Sequence, residues 1–407
     1  MQPLRKTGRR FVIINLALSG ALFTGCVQFP TQYERIEPDR IRLLDFMYEP
    51  PEALPGDTVT LRAVFAGKPV NPEDISWRVS WKVVRNAMGI DTSFEEQPLV
   101  ASVEPFEFSR STSGITLRFA IPENCIAESP MVPDDWLSLL PDELRGGVPE
   151  PFASMSKEEI LDRIDSLRTE IAALEDDQLE ALGTLIPDLV ANLPLAMQLL
   201  TVPVRLFADV KGEHRIQSDY TVSYTSAFAR WPGANVFENT NPRIDSAGVY
   251  KVEGVGLARF DPEDENTEYI PFSINGDADT TRIPVDKGYS YFVKVFTGRR
   301  DTVYTLGDMM QGVTPSRTEE HTAEWLFRME PDEMEDLSTN DLMNVGALGD
   351  FEGMLLPPRS KSIRHFTLWV QVTDSKIGII NRSQGSTVAE MQGLFEYTDA
   401  YLDQFKK

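Results

Sequence analysis

The sequence predicts a mainly β protein with two β-sandwich domains in tandem, the first carrying an α-helical insertion. Three observations carry this reading. Alternating apolar and polar residues recur over short runs from about residue 40 to 120 and again from 202 to 373. Between about 128 and 200 the period changes, and apolar residues fall at helical spacing. A stretch rich in Asn, Pro and Gly at 229–242 then separates two sets of strands. With 42% apolar and 25% charged residues, the chain of 407 can bury ordinary cores. Lys and Arg number 39 against 63 Asp and Glu, a formal net charge of −24. That balance argues against a nucleic-acid binder, which needs a basic face. Two Cys and three His argue against a disulfide scaffold or a structural zinc site.

The chain begins with an address. Arg5, Lys6, Arg9 and Arg10 form a basic region, Phe11 to Phe23 an apolar run, and Thr24-Gly25-Cys26 a small-residue end. This is the layout of a secretory signal, and the run is short for a membrane span, which takes about 20 apolar residues. Residues 27–40 read as a tether.

Strand signals start at 40–51 and 55–67, where Pro55-Gly56-Asp57 is turn chemistry and Val59, Leu61 and Ala63 alternate with polar residues. Ile75, Trp77, Val79 and Trp81 share one side of the next run, and Ile115, Leu117 and Phe119 one side of another. Ser156-Lys157-Glu158-Glu159 is a capping-box signature. Ile160, Ile164, Leu167, Ile171 and Leu174 follow it at spacings of three and four, an amphipathic stripe. Strands return at 202–210 and 220–224. Two strands alone make no stable unit, so they are expected to complete the first sandwich, with the helical block inserted between its strands. The second unit offers strands at 248–259, 269–274, 290–297, 322–328 and 365–373, and an acidic, exposed loop at 329–350. Residues 383–407 read as strand passing into helix, with 381–407 taken as a largely helical C-terminal extension.

Two resemblances add to this. Leu22-Phe23-Thr24-Gly25-Cys26 resembles the lipobox of bacterial lipoproteins. The resemblance implies cleavage before Cys26, a diacylglycerol on its thiol and an acyl chain such as palmitate on its amine. Several acyl chains at about 0.8 kcal/mol per buried CH₂ would make a durable anchor. Val27 in place of Asp after the Cys resembles the pattern that sends lipoproteins to the outer membrane. Pro50 to Phe65, and the set Ala323 to Phe327, Leu356-Pro357-Pro358 and Phe366 to Val372 with Asp374, resemble strands of immunoglobulin-like domains. That resemblance implies fold and no chemistry. The organisation expected is therefore a signal at 1–25, a lipidated tether at 26–40, an immunoglobulin-like sandwich at 41–228 with its insertion at about 128–200, a linker at 229–242, a second such sandwich at 243–380, and the extension.

Sites of chemistry are few. His214, His321 and His365 share no metal-binding spacing and are expected to be exposed or half-buried strand residues. Cys125 has no basic neighbour in sequence and reads as an inert buried thiol. Asn275, Asp277 and Asp279 around Gly276 offer oxygen ligands for calcium, without a complete calcium-loop spacing; Asp261 to Asn266 is a second acidic loop. The stripe from Ile160 to Leu174 would suit a partner helix if it were not packed on its own domain. These readings point to a lipid-anchored cell-envelope protein, at the outer membrane, with a structural, adhesive or protein-interaction role and no catalysis. Its partners would be the membrane and an envelope protein, with no nucleic acid and no cofactor beyond the lipid on Cys26. The alternatives are a docking subunit of an envelope complex or transport system that uses the insertion, and an envelope hydrolase.

Overall fold

The computed structural model describes residues 36, 39–85, 91–109, 112–126, 128–129, 135, 154–160, 162–163, 166, 201–211, 215–223, 240–254, 267–274, 280–298, 302–303, 317–318, 320–331, 344–347, 352–358, 363–374 and 385–404. The signal, Cys26, the candidate calcium ligands Asn275, Asp277 and Asp279, His214, most of the insertion and residues 229–239 of the linker lie outside them.

The described residues are mainly β. The first unit contains β1 (Ile41–Glu49), β2 (Glu52–Ala53), β3 (Thr58–Gly67), β4 (Ile75–Ser80), β5 (Val83–Arg85), β6 (Asp91–Phe94), β7 (Gln97–Pro98), β8 (Ser102–Glu107), β9 (Thr112–Ala120), β10 (Thr201–Val210) and β11 (Arg215–Ser223). Apart from a β5–β6 hairpin, these form two sheets, β1-β3-β9-β8 and β2-β11-β10-β4-β7. Only the β2–β11 pair is parallel among the pairings of the two sheets. Val59, Leu61, Ala63 and Phe65 on one face of β3 share a buried core with Val202, Val204, Leu206 and Ala208 of β10. The period-two pattern in the sequence thus points inward, and each buried Val or Leu contributes about 1.5–3 kcal/mol relative to exposure. Trp77 joins that core beside Ile75 and Val79, as the alternation requires, and Trp81 packs on its margin.

Between β9 and β10, residues 157–160, 162–163 and 166 are helical. The Glu159 N–H donates to Ser156 Oγ at 3.3 Å, and the Ser156 N–H donates to Glu159 Oε2 at 2.8 Å. That reciprocal pair is a capping box. Ile160 is buried in the core of the first unit.

The second unit contains β12 (Ile244–Glu253), β13 (Thr267–Pro271), β14 (Thr281–Val285), β15 (Tyr289–Thr297), β16 (Thr302–Val303), β17 (Arg317–Thr318), β18 (His321–Pro331), β19 (Asn344–Ala347), β20 (Glu352–Leu356), β21 (Ile363–Asp374), β22 (Ser386–Tyr397) and the short helix α1 (Asp399–Asp403). Its sheets are β13-β12-β15-β20-β19 and β14-β22-β21-β18, with β16 and β17 a separate pair. Their shared core includes Val249, Val293, Trp325, Phe327, Leu368, Val370 and Met391.

Two expectations are corrected here. Residues 381–407 are not a mainly helical extension. Ser386–Tyr397 is a strand inside a sheet, flanked by β14 and β21, and the helix is confined to Asp399–Asp403. The second unit therefore runs past residue 380. The cause is burial on both faces: Ala389, Met391 and Phe395 enter the core, while Val388 lies on the opposite face in a different apolar cluster. A strand covered on both sides loses its alternation and can imitate a helix. Likewise 329–350 is not all loop, because β18 runs to Pro331 and Asn344–Ala347 pairs with β20.

One glycine in β22 is set by packing. Gly393 faces Phe366 across the β21–β22 ladder, and a Cβ there would lie 2.0 Å from Phe366 Cζ. The ring occupies the space a side chain would need and stacks on Phe395 at 4.5 Å.

Candidate functional site at the seam between the units

The two units meet through the outer faces of β1-β3-β9-β8 and β14-β22-β21-β18. Leu44, Val64 and Ala66 of the first unit form one buried cluster with Leu326, Trp369 and Val388 of the second, edged by Met47, Phe106 and Phe108. Ile36 is buried in the same cluster, and its N–H donates to the Phe327 carbonyl of β18 at 2.8 Å. The end of the expected tether is therefore fixed into the structure.

A bulge in β1 builds the polar part of this seam. Leu43 pairs with Phe65 and Asp45 with Val64, leaving Leu44 as the extra residue. A bulge shifts the alternation by one, so two consecutive residues, Leu44 and Asp45, serve the seam instead of one. Leu43 and Phe46 on either side pack on the first unit's own core.

Asp45 is 4% exposed. Its Oδ1 accepts from Gln371 Nε2 of β21 at 2.9 Å and from Ser386 Oγ of β22 at 2.9 Å. Its Oδ2 is buried and has no hydrogen-bond partner. Burial pushes the Asp45 carboxyl up to about 7, against the opposing pull of the Ser386, Gln371 and Phe46 hydrogen bonds. Desolvation wins because only one of the two oxygens is compensated by side-chain donors.

Further polar contacts tie the units around this carboxyl. Asn241, at the end of the linker, donates from Nδ2 to the Tyr48 carbonyl at 2.7 Å and accepts the Ser386 N–H at 3.0 Å. Glu390 of β22 accepts from Trp369 Nε1 at 2.8 Å and from Ser109 Oγ of the first unit. Both units thus place polar side chains where neither would bury them alone.

Beside Asp45 lies a cavity of about 450 Å³. The first unit supplies Leu43, Phe46, Tyr48, Arg205, Gln217, Ser218 and Asp219 to its lining, and the second supplies Gln371, Thr373 and Ser386. Arg205 and Asp219 form a two-point ion pair across β10 and β11, with Nε–Oδ1 at 2.7 Å and Nη2–Oδ2 at 3.0 Å. The Tyr48 hydroxyl is buried beside Ser218 without reaching hydrogen-bonding geometry, and burial raises it above the ordinary tyrosine range. Asp45 thus sits in the wall of a mixed polar and apolar chamber that both units enclose.

The structure places the other candidates elsewhere. Ile160 is turned into the first core and offers no docking surface; Ile164, Leu167, Ile171 and Leu174 lie outside the described residues. His365 is exposed. His321 is buried, against the expectation of an exposed or half-buried residue, and pairs in register with Asp374, which accepts the Gly385 N–H at 2.8 Å. It stands at the start of β18 opposite Asp374 of β21, which is itself buried. Among the described residues no three His, Cys, Asp or Glu side chains cluster as a metal would need.

Cys125 is buried in the first core, and burial pushes its thiol up to about 12. A thiol this far from ionisation is a poor nucleophile at neutral pH. In a Cys26→Ser background, a thiol-directed alkylating reagent at pH 7.5 is therefore expected to label Cys125 only after denaturation. Stoichiometric labelling of the folded protein within minutes would refute its burial.

Asp45, Gln371, Ser386, Trp369 and Glu390 were absent from the sequence candidates. A signal for one of them exists: Asp45 is the charged residue in Leu43-Leu44-Asp45-Phe46, a position where an alternating strand offers no obvious solvent face. No protein-family model matches the chain, and no curated protein is similar to it in sequence.

Proposed function

We propose that the protein is a lipid-anchored component of a bacterial cell envelope, presenting two immunoglobulin-like sandwiches as one body in a structural, adhesive or protein-interaction role without catalysis. The observation that carries this reading is the seam. Seven buried apolar residues and the Asp45, Asn241 and Glu390 contacts join the units face to face. Two domains fixed in this way suit a spacer or presenting platform better than a pair that opens and closes around a substrate.

Strand order supports the domain type. In the first unit, β1-β3-β9-β8 opposed to β11-β10-β4 has the A-B-E-D and G-F-C order of an immunoglobulin-like sandwich. In the second, β12-β15-β20-β19 opposed to β22-β21-β18 has the same order, with β13 added beside β12. On this alignment the helical segment falls between strands E and F of the first sandwich.

Anchoring rests on the basic region, the apolar run and Cys26. The test is membrane fractionation of the full chain beside Cys26→Ser, with mass spectrometry of the mature N-terminus. The expected result is a lipid-modified Cys26 in the membrane fraction and loss of that modification in the variant. Unmodified Cys26, or equal retention of the variant through its uncleaved signal with no lipid on the parent, would sink the lipoprotein reading.

A further inference from the structure

We propose that the seam is a pH-sensitive latch: the Asp45 carboxyl lets the two units close on each other while it carries its proton, and its ionisation parts them with each unit still folded. This goes beyond the presenting role and does not depend on the lipid anchor. The single body described above is then the form held on the acid side of neutrality.

The geometry of the interface carries the argument. Asp45 stands on β1 of the first unit, and both side-chain donors to it, Gln371 and Ser386, belong to the second. Both donate to Oδ1. Oδ2 is buried without a partner and is closed off even from the cavity alongside. Water therefore does not reach a charge on that oxygen while the seam is closed. A neutral carboxyl costs far less in such a place than a carboxylate. Parting the seam hydrates the carboxylate and breaks no contact inside either core. Each unit has an apolar core of its own, larger than the seven-residue cluster of the seam. An interface of that kind between domains opens more readily than either core unfolds.

The surrounding charges do not offset that of Asp45. The influences on it are burial and hydrogen bonds, with no cation among them. Arg205 of β10 is bound at two points to Asp219 of β11. On β1 itself Arg42 is half-buried and Glu49 accepts from Asn241, while Arg62 of β3 is exposed. From the second unit, β22 brings Glu390, which accepts from Trp369 and Ser109. β21 ends at Asp374, which accepts the Gly385 N–H and lies opposite His321 of β18. Glu390 and Asp374 thus add acidic groups to the same region.

The sign follows from the two states. In the closed seam Asp45 titrates at about 7, and hydrated in the open one it returns to the ordinary 3.8. Its contribution to closure is complete below pH 3.8 and is lost as pH rises through 7. Between pH 5.5 and pH 8.5 the opening constant should therefore rise about thirtyfold, with most of the change below about pH 7.5.

The experiment is thiol protection in the full chain carrying Cys26→Ser and Ala66→Cys. Ala66 is buried in the seam cluster and Cys125 in the core of the first unit, so the two thiols report two different openings. Labelling by iodoacetamide is followed by peptide mass spectrometry at pH 5.5, 7, 8.5 and 9.5. Each rate is divided by that of an unstructured cysteine peptide at the same pH. The expected result at position 66 is a normalised rate that rises about thirtyfold from pH 5.5 to pH 8.5. It should stay at least tenfold above that of Cys125. Asp45→Asn should remove the rise. Gln371→Leu takes away one donor to the carboxylate, so the rise should move to higher pH; it keeps the test decisive if Asp45→Asn does not fold. A normalised rate at position 66 that is flat with pH would overturn the latch. So would an unchanged rise in Asp45→Asn, an unmoved rise in Gln371→Leu, or equal normalised rates at position 66 and Cys125, which would mark unfolding of the unit instead of parting of the seam.

Discussion

Asp45→Asn is expected to remove a pH-dependent component of stability that the native protein carries. The sign follows from the direction of the shift. The carboxyl moves from 3.8, its ordinary value, to about 7 in the folded chain, so folding favours its neutral form. The stability it contributes is complete below pH 3.8 and is lost as pH rises through 7. A rise of about three units corresponds to about 4 kcal/mol over the whole window, of which about 2–3 kcal/mol falls between pH 5 and pH 8. Asparagine keeps an oxygen for Gln371 and Ser386, and it cannot ionise. Its amide N–H₂ would occupy the unpartnered position and carry a constant penalty of about 1–3 kcal/mol. The measurement is denaturant unfolding of both proteins at several pH values, read as the difference between them. Because other groups are common to both, that difference should shift in favour of the variant as pH rises. A difference flat from pH 5 to pH 8 would refute the buried, half-compensated carboxyl.

Trp369→Ala is expected to be the most damaging single change at the seam. The indole is fully buried among Ile36, Leu44, Val64, Ala66, Leu326 and Val388, and its N–H donates to Glu390. Truncation should cost about 3–5 kcal/mol, the usual range for a buried Trp or Phe reduced to Ala. It also removes a donor from the buried Glu390 carboxyl, leaving Ser109 as its partner across the seam. Trp369→Phe separates the two effects, since it keeps most of the apolar volume and loses the hydrogen bond. The ordering expected in urea unfolding is native, then Trp369→Phe, then Trp369→Ala. Native-like stability of the Ala variant would show that the two faces do not need each other.

Legibility from sequence followed burial geometry. Stretches with one covered face, such as β4, the first half of β3 and the second half of β9, carried the alternation that placed Leu61, Trp77 and Leu117 in a core. The capping residues Ser156 and Glu159 were legible because their chemistry is local and completed within four residues. The seam was not legible. Its residues occupy the outer face of strands, where the pattern predicts solvent, and only a second sheet at a distance of hundreds of residues makes Val64, Trp369 or Val388 buried. The bulge at Leu44 was hidden for a related reason: a shift of pairing register leaves no mark in composition. Asp45 drew no notice in the sequence, because its partners Gln371 and Ser386 stand more than 300 positions away. At 383–407 the order of strand then helix was legible, but the length of the strand and its place inside the second unit's sheet were not, because both faces of Ser386–Tyr397 are covered.

The fixing of Ile36 has a mechanical consequence. It stands ten residues after Cys26, and a chain segment of that length spans at most about 36 Å when fully extended. If Cys26 is held by lipid, the leash ends at the junction of the two units and not at a free end of the first. Its final grip is shared: Ile36 bonds to β18 of the second unit, and five residues later the chain enters β1 of the first. Tension on the anchor would then pull on both units together, through Ile36 on β18 and through β1. The body would ride within a few nanometres of the bilayer, held at its seam.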